Sequence, residues 1–109
     1  MIVTGYRNVW LIAMFDLPVD TKQARKEYAR FRKELLKDGF SMMQFSVYIR
    51  HCASEENADV HFRRVQNALP DDGEVRLLAV TDKQFARMQV FWGKMRKPPM
   101  PAPQQLELF

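Results

Sequence analysis

The chain has 109 residues, 17 lysines and arginines against 13 aspartates and glutamates, a net charge of +4 and one cysteine. That length fits one domain of the common class of roughly 100 to 150 residues and excludes two independent catalytic modules. With 47% hydrophobic and 12% aromatic residues, intrinsic disorder is excluded over most of the chain. Cys52 alone cannot close an intrachain disulfide, and no charged segment followed by an apolar core and cleavage site opens the sequence. No apolar run approaches the roughly 20 residues that span a bilayer, so a cytoplasmic protein with no membrane partner is expected.

The longest apolar run, Val9 to Phe15, ends in Asp16 and predicts a buried strand stopped by Pro18. From Asp20 to Asp38, the apolar residues Ala24, Tyr28, Phe31 and Leu35 recur at helical spacing, with Asp20 as the expected N-cap and Gly39 as the residue beyond the C-cap. "FSMMQFSVYIR" predicts a short strand, a tight reversal and a longer strand. Ser54, Glu55 and Glu56 open a second helix whose stripe, Ala58, Phe62, Val65 and Leu69, repeats the first 34 residues later. "PDDG" makes a turn, "EVRLLAV" a further strand and "MQVFW" an additional C-terminal strand after a short connection at residues 81–87. The order is that of an α+β ferredoxin-like βαββαβ sandwich over residues 1–96, with both helices on one face of an antiparallel sheet.

The run Val9 to Phe15 contains no polar residue, although a sheet covered on one face should alternate. Something must cover the second face: a second copy, sheet to sheet about a two-fold axis, or the chain's own tail. That tail, residues 97–109, carries four prolines in six residues and ends in "QLELF". It reads as an extended arm whose terminal residues add to a sheet edge elsewhere, or as a loose end.

The charge excess lies wholly in residues 1–52, which hold nine basic and five acidic side chains, whereas the remainder holds eight of each. At helical spacing, Lys22, Lys26, Lys33 and Lys37 fall about 160° to 220° from Ala24, opposite the core stripe, with Arg25 and Arg32 on one flank and Arg30 on the other. Such a ridge is suited to duplex phosphates without base readout, or is an ordinary solvated face softened by Glu27 and Glu34. Asp16, at the end of a central strand, is a usable ligand for Mg²⁺, which a two-fold axis would supply twice, or an acid that satisfies donors of the "DLPVD" turn. His51, His61 and Cys52 match no zinc spacing, no glycine-rich phosphate loop is present, and both histidines read as surface or packing residues. Cys52 and His51, adjacent at a strand end, point to opposite faces and do not form a nucleophile pair.

"WLIAMFDLPV", the basic helix ending in "LLKDGF", and "MQFSVYIR" together resemble the small CRISPR-associated adaptation protein that partners the CRISPR integrase. The resemblance covers residues 8 to about 92, and "QLELF" looks like the ending of versions from type II systems. Phe15 stands where many members have Tyr. The resemblance implies a ferredoxin-like homodimer in spacer acquisition, set between two integrase dimers and holding double-stranded protospacer DNA. It also implies a magnesium-dependent endonuclease acting on RNA or DNA, with Asp16 as catalytic residue and metal ligand. Lys22, Arg25, Lys26, Arg30, Lys33 and Lys37 are the expected nucleic-acid contacts. Gln105, Leu106, Leu108 and Phe109 are the expected integrase contacts. A stand-alone ferredoxin-like toxin-type ribonuclease is the alternative.

Overall fold

The computed structural model describes residues 8–97, with side chains through residue 94. The expected C-terminal arm, with Gln105, Leu106, Leu108 and Phe109, lies outside the described residues beyond Lys97. The elements are β1 (Val9–Asp16), α1 (Lys22–Lys37), β2 (Ser41–Gln44), β3 (Val47–Cys52), α2 (Glu55–Asn67), β4 (Glu74–Thr81), α3 (Asp82–Ala86), β5 (Val90–Trp92) and β6 (Met95–Lys97). Four strands form one antiparallel sheet in the order β2-β3-β1-β4, the ferredoxin-like arrangement.

The uninterrupted apolar run of β1 follows from its central place, since both faces are packed. Val9, Leu11, Ala13 and Phe15 meet Phe31 and Leu35 of α1 and Ala58 and Val65 of α2 in the main core. Burying each large side chain there contributes about 1.5–3 kcal/mol. Trp10 and Ile12 point the other way and pack with Ile49, Met14, Met43, Val47, Val80 and Phe85.

The second face is covered in part by a segment that sequence patterning left as a connection. Residues 82–86 form α3, started by a capping box in which Thr81 and Gln84 exchange side-chain and backbone hydrogen bonds. Phe85 of α3 stacks on Trp10 at 4.2 Å and 9°, and the Trp10 indole N–H donates to Asp82 Oδ1 at 2.7 Å. The cover is incomplete: Leu78, register partner of Ile12 on this face, is 48% exposed. The additional strand β5 pairs with β6 in its own hairpin instead of extending the main sheet.

Two boundaries differ from expectation. Thr21, not Asp20, caps α1, because its Oγ1 accepts from Ala24 N–H at 3.0 Å. The stripe of α2 breaks before Leu69, since the helix ends at Asn67 and Ala68 caps it, leaving Leu69 44% exposed. Gly39 follows the C-cap of α1 with φ +92°, as that position requires. No helix among the described residues is long and apolar enough to cross a membrane.

Candidate nucleic-acid interface and strand-end acid

Helix α1 is seated by Phe31 and Leu35, and this fixes what its other faces present. Lys22, Lys26, Lys33 and Lys37 are all exposed on the side away from the sheet. At about 1.5 Å per residue, the helix carries them along roughly 22 Å. The arginines behave differently. Arg25 donates to the Val19 carbonyl at 3.0 Å and Arg32 Nε to the Tyr48 hydroxyl at 2.7 Å, bonds that hold the guanidiniums without neutralising them. Arg30 is tied down: it pairs with Glu27 at 3.1 Å and reaches the Ala68 carbonyl at 3.0 Å, linking α1 to the end of α2. Of the six expected nucleic-acid contacts, four lysines and Arg25 are available on the surface, and Arg30 is committed to an intramolecular role.

Asp16 is exposed at the C-terminal end of β1. Its carboxylate has no hydrogen-bond or ion-pair partner among the described residues, so it does not satisfy donors of the "DLPVD" turn. Its register partner is Glu74 at the start of β4, and Glu74 is ion-paired with Arg76. The strand end is held from both sides. Phe15 N–H donates to the Ser46 carbonyl in the β2–β3 turn at 3.0 Å. Gly73, at φ +96°, packs so closely that an added Cβ would lie 2.6 Å from Leu17 Cδ2 and 2.9 Å from the Asp16 carbonyl oxygen. Phe15 itself is a core residue, with its ring against Tyr28, Phe31 and Tyr48. Among the described residues no three His, Cys, Asp or Glu side chains converge, and the strand-end pair Asp16 and Glu74 is the acidic register pair at this end of the sheet.

Sequence patterning missed a polar joint behind α1. His61 is buried, and its Nδ1 lies 2.8 Å from Asp38 Oδ2, while Arg64 donates to Asp38 Oδ1 at 3.0 Å and Arg50 Nε to the Asp38 carbonyl at 2.8 Å. Asp38 caps α1, so these bonds tie its C-terminus to α2 and β3. The helical spacing of His61 and Arg64 was visible, but the facing carboxylate came from another element. His51 lies on the other face, edge-on to Trp10 at 5.0 Å. Cys52 is buried in the main core, where desolvation pushes its thiol above the ordinary 9.0 and nearby Arg50 pulls partly back. The expected separation of His51 and Cys52 onto opposite faces is what the sheet produces.

Residues 9–88 match the family model described as CRISPR associated protein Cas2. A protein of Parvibaculum lavamentivorans named CRISPR-associated endoribonuclease Cas2 is 61% identical over 101 residues, covering 93% of this chain and all of that protein. Proteins of the same name from Flavobacterium psychrophilum and Ligilactobacillus salivarius are 52% and 44% identical, over 95% and 80% of this chain and 90% and 86% of their own lengths. With its four-stranded ferredoxin-like sheet, its strand-end acid and these similarities over most of its length, the chain belongs to the Cas2 family of CRISPR-associated proteins.

Proposed function

We propose that this chain serves spacer acquisition as a homodimeric bridge between integrase dimers, holding protospacer duplex by its phosphates. The observation that carries this reading is the row of four exposed lysines on α1, set at fixed spacing by the helix and opposite its buried stripe, where they meet phosphates without reading base edges. The partly uncovered second face, with Leu78 exposed beside Ile12, supports a sheet-to-sheet dimer.

Endonuclease activity on RNA or DNA is a second, ancillary part of the proposal, centred on Asp16. A hard carboxylate without a protein partner among the described residues, facing Glu74 across the ladder, suits Mg²⁺, which takes one or two carboxylates and keeps several waters. When bound, such an ion would supply positive charge to a phosphoryl oxygen and a more acidic water. Asp16 would orient the metal, and Gly73 and Ser46 would hold the strand end in place.

Replacement Asp16→Asn separates the two parts. The reconstituted complex with the integrase is expected to assemble and integrate spacers with this variant, while magnesium-dependent cleavage of RNA or DNA by the isolated protein falls at least about a hundredfold, the scale of losing a metal-held electrostatic contribution. Loss of integration with assembly intact would overturn the bridging role.

A further inference from the structure

Phe45, in the two-residue turn between β2 and β3, is 79% exposed, the highest among the large hydrophobic side chains described. Single exposed apolar residues are common on protein surfaces, but this ring is braced. It lies against the Tyr28 ring at 6.2 Å and 20°, and the Tyr28 hydroxyl is hydrogen-bonded with Ser46 Oγ at 2.9 Å. Ser46 sits at φ 59°, in the left-handed region that costs a non-glycine residue about 1–2 kcal/mol and that turns usually assign to Gly or Asn. Its carbonyl is held by Phe15 N–H, one residue before Asp16. The turn thus tolerates backbone strain while holding an aromatic face in water.

The charges around the pair are asymmetric. Arg25 and Arg32 stand about one turn before and after Tyr28 on the same flank of α1, each anchored through a neutral oxygen and so keeping its charge. Tyr28 also lines a cleft with Asp20, Asp71 and Asp72, whose carboxylates repel phosphate, and with Glu27, which is paired with Arg30. A flat apolar ring braced on Tyr28, with two guanidiniums that keep their charge on one flank of the same helix, suits one nucleotide unit, with the base on the ring and the phosphate toward Arg25 and Arg32. Bases stacked within a duplex do not offer a free face, so the ligand is unpaired.

We infer that Phe45, braced by Tyr28, is a stacking platform for an unpaired nucleobase at the end of the sheet that carries Asp16. The inference deepens the proposed nucleic-acid role and rests on it, since Arg25 and Arg32 flank the same helix as the lysine ridge. A second copy of this chain covering Phe45 is the competing occupant.

The test uses the full chain, a 12-nucleotide single strand containing 2-aminopurine, and a blunt duplex of the same sequence. Phe45→Ala is expected to weaken single-strand binding about five- to hundredfold, the range for losing one base–aromatic stack, and to abolish quenching of the 2-aminopurine. Phe45→Trp should retain both, and duplex affinity should be unchanged in either variant. Unaltered single-strand affinity and quenching in Phe45→Ala would overturn the platform, as would equal losses on single strand and duplex. A fall in solution mass by light scattering in Phe45→Ala would assign the ring to a second copy and also overturn it. Failure of the underlying nucleic-acid reading appears separately, as duplex binding that survives replacement of the four lysines.

Discussion

Replacing Lys22, Lys26, Lys33 and Lys37 together by glutamine tests the ridge with little cost to the helix, because glutamine has nearly the helix propensity of lysine and all four positions are exposed. From Lys22 to Lys37 the ridge runs about 22 Å, and phosphates of one strand recur about every 3.4 Å of duplex axis, so between two and four lysines of a straight helix can each meet a phosphate. For every phosphate that is no longer neutralised, the slope of log affinity against log salt flattens by about 0.9, giving a total change of about 1.8 to 3.6. Between 50 and 200 mM salt, wild type should therefore weaken about 12- to 150-fold more than the variant. Fluorescence anisotropy with two unrelated duplexes reads this directly. A control variant, with Arg63, Lys83, Arg87 and Lys94 replaced by glutamine, removes the same formal charge from exposed positions elsewhere. An unchanged slope in the ridge variant, an equal flattening in the control, or a weakening confined to one duplex sequence would exclude the ridge as a phosphate-binding surface. Arg30→Ala, by contrast, should leave the slope unaltered, since its guanidinium is committed to Glu27 and the Ala68 carbonyl.

Gly73→Ala should destabilise the fold by about 2 kcal/mol or more, because φ +96° is unfavourable for alanine and the new Cβ meets Leu17 and the Asp16 carbonyl; a urea midpoint within error of wild type would contradict the packing described. Cys52 predicts a pH effect. Its folded thiol ionises above the ordinary 9.0 of the unfolded chain, so the stability it contributes is fully present below about pH 9 and is lost as pH rises through the folded value. Urea midpoints from pH 7 to 10 should fall more steeply for wild type than for Cys52→Ala, and parallel curves would exclude the effect.

The order of the elements was legible because periodicity reports burial locally. The spacing of Tyr28, Phe31 and Leu35 places one side of α1 in the core, and the same arithmetic puts Lys22, Lys26, Lys33 and Lys37 opposite. Asp16 was legible as a strand-end acid, since it closes an uninterrupted apolar run. Helix α3 was not, because five residues are too short to display a helical period, and its capping box is a weak signal until Phe85 finds Trp10.

The β-α units, the basic face and the apolar central strand can be read from the chain alone, since each is a consequence of residues a few positions apart. It took the folded chain to show which arginine is paired with an acid and which keeps its charge, that Asp16 lacks a partner in its turn, and that His61 is buried against Asp38. The fold also decided that Phe45 is held on Tyr28 with its face in water. These properties depend on where distant segments meet, and a carboxylate, a carbonyl or a ring brought from another element leaves no periodic mark in the chain.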